Sequence, residues 1–435
     1  MSGRERTNAE PTRMARLPGT RARRSCSLVA WAAIGAIAAL PTTRAQSVNL
    51  YELARFDLSA TSGTAGGVFI GSNPSAVGWN GSKLYVAGFN GSGATATTSI
   101  IEITNAAGVV TGAVSGSVTP TYSAPFGAVS MASSRGYSGL AMKGSTLLAT
   151  LDTGANSPSG LQAFNAAGGN TKLWDLSNSG TTAANIGTAR VGGGPGFDPG
   201  FAGGGSGAAW TIIGQGRRFL NNATTGAAIY TTTANVPTGA AQGMVLNSAV
   251  TGWRDIDFNP ANGDVYTRNN NTLQLNVRTG SNACLSTGTL GNLTPATNII
   301  GQNLSFMDGV ADPLGFNGDL IVLNDRAVTS AGQVATNVIK FFTTGTGAAP
   351  VSPLWNFLST PLTSTGYYDF EWDSGTKTLA VMDFTNRAVS IFSTSAPVPE
   401  IDPGGMPAAV ALVTGFAGLF ERLAGRGRRR RGGDT

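Results

Sequence analysis

Short runs of alternating hydrophobic and polar residues fill the chain between residues 46 and 396, and Gly, Asn, Asp and Pro separate them. Alternation with a period of two is typical of β-strands, and the frequent breaks indicate tight turns. No long segment shows the 3.6-residue period of an amphipathic helix. The pattern therefore predicts an all-β body.

One sequence unit recurs along this body, and residues 253–279 and 367–394 are its clearest copies. Each begins aromatic-x-Asp-hydrophobic-acidic-aromatic and then passes a Gly-containing turn, Asn262-Gly263 in the first copy and Ser374-Gly375 in the second. Asn-Gly between two apolar runs favours a hairpin whose two central residues both have positive φ. Weaker copies begin at Ala76, Tyr137, Pro195 and Asp312.

The hydrophobic strands that follow these turns are evenly spaced, at intervals of 63, 63, 55, 55 and 59 residues. Their predicted centres are Leu84, Leu147, Trp210, Val265, Leu320 and Leu379. A unit of this length holds four short strands, which predicts a β-propeller of about six blades. Residues 48–58 precede the first unit and are predicted to close the ring against the last blade. The alternative is a β-helix or an adhesin-like sandwich, although the short period of a β-helix is not found.

The composition indicates a folded, turn-rich protein. Of the 435 residues, 61 are Gly, 41% are hydrophobic and 12% are charged. So low a charge argues against a disordered, solvating chain. Because the chain has no His, Ser-His-Asp and Cys-His catalysis and His-ligated metal sites are excluded.

The formal net charge of +6 belongs to the two ends of the chain. Residues 1–45 carry 8 Arg and 2 Glu, and residues 397–435 carry 6 Arg and 4 acidic residues, so residues 46–396 have a net charge of −2. A nucleic-acid binder needs a basic surface on its folded domain. We therefore expect no nucleic-acid partner.

The N-terminal 45 residues have the three parts of a secretory signal. An Arg-rich start is followed by thirteen apolar residues, 28–40, and then by small residues around Ala45. Thirteen residues are too few for a permanent membrane span, which needs about 20. Cleavage is predicted between Ala45 and Gln46. The signal is compatible with export by either the general secretory route or the twin-arginine route.

The C-terminal segment, residues 397–435, has a Pro-rich start, an apolar stretch and a basic end. The apolar stretch, 406–420, is about 22 Å long as a helix, which is short for a hydrocarbon core of about 30 Å. The basic end is predicted to stay cytoplasmic, which places the body on the outer face of the membrane. Its residues are Arg426, Arg428, Arg429, Arg430 and Arg431.

This three-part order resembles the PEP-CTERM sorting signal, also known as the ice-binding-protein C-terminal domain. The motif of that family is Pro-Glu-Pro. This chain instead has a segment similar to the Pro-Glu-Ile-Asp-Pro variant of the motif, formed by Val398, Pro399, Glu400, Ile401, Asp402 and Pro403. The resemblance implies that an exosortase in the inner membrane cuts near this motif and passes the body to the envelope, the cell surface or the extracellular matrix. The implied partners are the exosortase, the export machinery and, through a transient C-terminal helix, the membrane. The resemblance does not extend to residues 46–396.

Acidic residues recur where the predicted blades begin; they are Asp255 and Asp257, Asp308 and Asp312, and Asp369 with Glu371 and Asp373. Asp255, Asp257 and Glu371 are weak candidates for metal ligands, since carboxylates from several blades that meet in a central channel would suit calcium. We favour turn capping for these acids, in which an Asp accepts a backbone N–H two residues on. No catalytic residue and no cofactor other than calcium is indicated.

These observations predict an exported surface or extracellular-matrix protein whose propeller binds or scaffolds. Extracellular polysaccharide and other envelope proteins are the candidate partners. The alternative is a calcium-dependent, lactonase-like propeller hydrolase, with Glu371 as the most plausible ligand among the Glu residues of the body.

Overall fold

A computed structural model describes the body between residues 46 and 397, with gaps. The described residues are 46–59, 73–89, 97–130, 136–152, 160–167, 171–175, 194–198, 208–213, 227–233, 236–237, 242–244, 255–268, 273–278, 285–293, 304–324, 339–345, 349–362 and 368–397. The predicted signal peptide, the sorting motif, the apolar stretch and the basic end lie outside them. Among the described residues, no helix is long and apolar enough to cross a membrane.

The described strands form six successive antiparallel units of four main strands each, which we call blades 1 to 6. The first strand of the body is β1 (Ser47–Asp57). Blades 1 and 2, with short additional strands, contain β2 (Asn73–Trp79), β3 (Leu84–Phe89), β4 (Thr97–Ser99), β5 (Ile101–Ile103), β6 (Gly116–Val118), β7 (Tyr122–Ser123), β8 (Ala128–Ser130), β9 (Gly136–Lys143), β10 (Thr146–Asp152), β11 (Gly160–Asn165) and β12 (Lys172–Asp175). A short 3₁₀ helix, Thr104–Gly108, lies inside blade 1.

The remaining blades follow in the same up-and-down order. Blade 3 contains β13 (Pro195–Asp198), β14 (Ala208–Ile213), β15 (Ala227–Thr233), β16 (Val236–Pro237) and β17 (Gln242–Met244). Blade 4 contains β18 (Asp255–Phe258), β19 (Val265–Arg268), β20 (Leu273–Arg278) and β21 (Leu285–Leu293). Blade 5 contains β22 (Leu304–Ala311), β23 (Asn317–Asn324), β24 (Ile339–Thr343) and β25 (Pro350–Asn356). Blade 6 contains β26 (Tyr368–Asp373), β27 (Thr378–Asp383) and β28 (Ala388–Ser393), and β1 is its fourth strand.

The first strands of the six blades form a closed ring around a central channel. Each of β2, β9, β13, β18, β22 and β26 packs against the first strand of the next blade, and β26 packs against β2. This closure confirms the predicted β-propeller and assigns six blades to the described part of the chain.

All six predicted strand centres lie in the second strand of a blade, namely β3, β10, β14, β19, β23 and β27. The sequence period therefore follows the most regular hydrophobic strand of each unit. In blade 5, however, the predicted start at Asp312 was too late, because the inner strand Leu304–Ala311 precedes it. That strand lacks the paired acids that mark the same position in blades 4 and 6.

The N-terminal strand closes the ring, as the sequence predicted. Between Tyr51 and Asp57 it pairs antiparallel with β28. Its other edge pairs in parallel with β25 near Ser47 and with β6 near Phe56. One strand thus joins blade 6 to blade 5 and to a segment of blade 1.

Apolar clusters fill the junctions between neighbouring blades. Phe392 and Leu320 belong to the cluster between blades 5 and 6, and Trp79 and Ile391 belong to the cluster between blades 6 and 1. The indole nitrogen of Trp79 also donates to the hydroxyl of Thr378, 2.8 Å away, across that junction. Because β-strands expose alternate side chains on opposite faces, blade 6 packs against both of its neighbours, blades 5 and 1.

The turn after the blade 4 inner strand differs from the predicted two-residue form. It spans residues 259–264, and the N–H of Asn259 donates to the carbonyl of Asp264 at its base. Gly263 has a φ of 75°, whereas Asn262 is not left-handed. The amide oxygen of Asn262 accepts the N–H of Asp264 and stabilises this longer loop.

Candidate functional site

The central channel contains a cavity of about 170 Å³. The inner strands of blades 2 to 6 line it, and acidic side chains from blades 4 and 6 face it. These acids are Asp255, Asp257, Asp369 and Glu371. A cavity of this size suits a few water molecules or one small ligand, because drug-sized ligands occupy pockets of about 300–1,000 Å³.

The two acid pairs occupy equivalent positions in their blades. Asp255 pairs with Arg268, three residues beyond the predicted strand centre Val265. Asp369 pairs with Met382, likewise three residues beyond its strand centre, Leu379. The recurring acidic pattern of the sequence is therefore a true structural repeat.

The two acids of blade 4 bind the inner strand of blade 5. The carboxylate of Asp255 accepts the backbone N–H of Leu304 at 2.7 Å. The carboxylate of Asp257 accepts the N–H of Phe306 at 2.6 Å. Each carboxylate also accepts the N–H of the residue that follows it in sequence. The acids thereby satisfy donors that the channel edge of β22 would otherwise leave without a partner.

The two acids of blade 6 bind two other blades. Asp369 accepts the N–H of Val77 in blade 1 at 2.7 Å. Glu371, which is one methylene longer, accepts the N–H of Met142 in blade 2 at 2.9 Å. Blade 6 is therefore bonded through its inner strand to both blade 1 and blade 2.

These bonds differ from the turn capping that the sequence favoured. None of the four acids accepts an N–H two residues on; each instead links its blade to another blade. Asp312 does form the predicted turn, with its carboxylate accepting the N–H of Leu314 at 2.9 Å. The physical reason is that the inner strands have a free edge at the channel. The backbone N–H groups on this edge need acceptors, and the carboxylates of other blades provide them.

Burial raises the pKa of all four acids. Removal from water raises the pKa of Asp257 to about 6 and that of Asp369 to about 8. The pKa values of Asp255 and Glu371 also lie well above their ordinary values, first because of burial and then because of nearby carboxylates. Backbone N–H donors oppose these shifts, since they favour the ionised form.

No Lys or Arg whose side chain the structure describes forms an ion pair with any of the four acids. No three carboxylates among the described residues come close enough together to hold one metal ion. The metal candidates Asp255, Asp257 and Glu371 line the cavity, and each of their carboxylates accepts at least one backbone N–H group.

Two further contacts shape the cavity wall. The Asp255 carboxylate packs so closely on Gly194 that any side chain there would collide with it. Asp308, on the inner strand of blade 5, accepts the indole N–H of Trp372 in blade 6 at 3.1 Å. The first contact requires a glycine, and the second joins blades 5 and 6 beside the acids.

The sequence identified all four acids as part of the recurring pattern but none of their partners. Only Asp255, Asp257 and Glu371 were named as metal candidates, although Asp369 occupies the position equivalent to Asp255. The partners Val77, Met142, Leu304 and Phe306 contribute backbone N–H groups, which leave no mark in the side-chain pattern.

Comparison with known proteins adds no closer definition of the site. No protein-family model and no curated protein matches the chain. A protein of unknown function from Bacteroides thetaiotaomicron is similar, with a TM-score of 0.42, 10% identity and coverage of 80% of this chain and 76% of that one. An auxiliary nutrient binding protein from the same organism has a TM-score of 0.42, 10% identity and coverage of 74% and 69%. The C-terminal WD40 domain of Sif2 has a TM-score of 0.35, 11% identity and coverage of 81% and 99%.

Proposed function

We propose that this chain is an exported protein, cut at both ends, whose six-bladed body binds or scaffolds at the cell surface or in the extracellular matrix. A signal peptidase removes residues 1–45, and an exosortase cuts near Pro399 to Pro403. The body then acts away from the inner membrane, with polysaccharide or another envelope protein as its partner.

The observation that carries this proposal is the position of the closing strand. β1 begins at Ser47, two residues after the proposed cleavage at Ala45. The carbonyl of Gln46 already accepts the N–H of Ser352, 2.9 Å away. Removal of residues 1–45 therefore leaves every described contact of the closing strand intact.

At the C-terminal end of the body, too, the described contacts stop short of the proposed cleavage site. The last strand ends at Ser393, and the hydroxyl of Thr394 donates to the carbonyl of Ala311 at 3.2 Å. Residues 395–397 are exposed. A cut between residues 399 and 403 would therefore fall beyond the described contacts of the ring and release an undamaged propeller.

The size of the cavity restricts where a partner binds. The cavity lined by the described residues, about 170 Å³, is too small for a polysaccharide chain or a protein segment. A macromolecular partner would therefore bind the outer surface of the blades, while the acids of the channel join the inner strands.

Mass spectrometry of the terminal peptides tests this proposal, after membrane, envelope and medium have been separated. We expect an N-terminal peptide that begins at Gln46 and a C-terminal peptide that ends between residues 399 and 403. Replacing Pro399 and Glu400 together by Ala should keep the tail and retain the protein in the membrane. The control variant Ser395→Ala, outside the motif, should be processed normally. An intact C-terminus at Thr435 in the membrane fraction contradicts processing.

A calcium-dependent hydrolase is the second candidate, supported by the channel position of Asp257 and Glu371. Stoichiometric calcium in the purified protein, lost in a Glu371→Gln variant, would support it. A folded protein without calcium after dialysis against calcium-containing buffer contradicts it.

A further inference from the structure

Three large apolar side chains are exposed on the rim of the propeller beside the closing strand. The exposed fraction is 82% for Leu314, 70% for Phe357 and 47% for Leu354. Together with the half-buried Tyr51, we call these residues the rim patch. Large apolar side chains that cluster on a surface indicate an interaction site more strongly than single exposed ones do.

The backbone holds Phe357 outward at an energetic cost. Its φ is 59°, in the left-handed region that bulky residues rarely adopt. Two residues later, the N–H and the hydroxyl of Ser359 both donate to the buried carboxylate of Glu52, the latter at 2.6 Å. The ring of Tyr51 supports the Phe357 ring, with 5.8 Å between centroids. Strained backbone that presents an exposed aromatic ring indicates a function for that ring.

The members of the rim patch share one side of the closing strand. Leu354 is the register partner of Asn49 in the parallel pair of β1 and β25. Asn49 in turn donates its N–H to the carboxylate of Asp312, 2.7 Å away, in the loop that carries Leu314. Val48 and Leu50 alternate with Asn49 and lie in the core. The patch is therefore fixed to the same strand that closes the ring.

The chain leaves the body beside this patch. Ser393, the last residue of the last strand, is the register partner of Tyr51. Eleven residues lie between Thr394 and Met406, where the apolar stretch begins, a span of at most about 40 Å. When that stretch lies in a membrane, the end of the last strand beside the rim patch stays within about 40 Å of it.

We propose that the rim patch docks the propeller on the lipid bilayer while the C-terminal segment tethers it. The proposal rests on the membrane role of residues 406–420 in the proposed function. The patch presents Leu and Phe side chains, which partition into the apolar region of a bilayer. The carboxylates of Glu52 and Asp312, which hold the backbone beside the patch, are buried and accept hydrogen bonds, so they do not place charge against the lipid. Docking would orient the body on the membrane until the tail is cut.

The test uses the full chain with Cys26 and Cys284 replaced by Ser, reconstituted into phosphatidylcholine vesicles. A single new cysteine, Phe357→Cys or Leu314→Cys, carries an environment-sensitive fluorophore. We expect a blue shift of its emission and quenching by lipids with brominated acyl chains. The matched control is Thr385→Cys, exposed in the hairpin at the opposite end of β28, where the label should report water.

The outcomes separate the docking surface from the tether. Lipid contact at positions 357 and 314 but not at 385 supports docking. Vesicle-bound protein whose labels at 357 and 314 both report water overturns docking and leaves the tether intact. Protein that does not float with the vesicles overturns both the tether and the docking surface. The use of two label positions guards against a local effect of replacing Phe357.

Discussion

The carboxylate of Asp369 in the last blade accepts the backbone N–H of Val77 in the first blade at 2.7 Å. This bond crosses the junction at which the two ends of the ring meet. β1 connects the same two blades from the outside, because it pairs with β28 of blade 6 and with β6 of blade 1. The ring is thus closed twice, by a side chain at the channel and by a strand at the rim.

We expect Asp369→Asn to lower the free energy of unfolding by about 1–3 kcal/mol, because a buried N–H loses its acceptor. The two oxygens of Asp369 accept two different N–H groups, those of Val77 and Phe370, and an amide offers only one oxygen. Chemical denaturation measures the change. Asp57→Asn is the control, since Asp57 is exposed at the end of β1 and should change stability by no more than about 0.5 kcal/mol. Equal effects of the two variants would contradict the role of Asp369.

Stability should fall as the pH rises from about 4 to about 8. The pKa of Asp257 is raised to about 6 and that of Asp369 to about 8, from an ordinary value of 3.8. Within that window the folded protein holds protons on these acids that the unfolded chain releases. The stability that these protons contribute is lost as the pH rises past the pKa of each acid in the folded protein. Urea denaturation at about pH 5 and about pH 8 measures this difference. A urea midpoint that is unchanged or higher at the upper pH would contradict the presence of buried, protonated acids. The Asp369→Asn variant should show a weaker dependence of stability on pH.

Removing the carboxylate of Asp312 should loosen the start of the closing strand. Asp312 accepts both the backbone N–H and the side-chain amide of Asn49, at 2.7 and 3.0 Å. We expect Asp312→Ala to cost about 1–3 kcal/mol and to accelerate amide exchange at Asn49. Asp319→Ala, in the same hairpin but bonded to Gly309, serves as the control and should leave Asn49 protected. Unchanged exchange at Asn49 in the Asp312 variant would show that β1 is held by its strand pairing alone.

A methyl group at position 194 should displace the carboxylate of Asp255. The added Cβ would collide with Oδ1 of Asp255. That oxygen accepts the N–H of Ile256, and the other oxygen of the same carboxylate accepts the N–H of Leu304. We expect Gly194→Ala to cost about 1–3 kcal/mol through overpacking, measured by thermal unfolding. Gly375→Ala is the matched control, because its nearest neighbours lie at an ordinary 3.4 Å. If both variants are equally stable, the packing of Asp255 on Gly194 has no energetic role.

The regular hydrophobic strands made much of the fold predictable from sequence. Leu147, Leu320 and Leu379 are fully buried and each mark the second strand of a blade, which therefore shows a strong apolar pattern. The inner strand of blade 5 was harder to locate, because it carries Phe306 where blades 4 and 6 carry an acid. Its position is set by contact with those neighbouring blades.

The sequence by itself determined the all-β class, the number of repeated units and the strand that closes the ring, because strand alternation and turn residues are local properties of the chain. It also showed that acids recur where the blades begin. Only the tertiary structure decided what those acids do. Asp255 and Leu304 are 49 residues apart, and Asp369 and Val77 are 292 apart. Backbone donors have the same chemistry in nearly every residue, so only closure of the ring selects the N–H groups that these carboxylates accept.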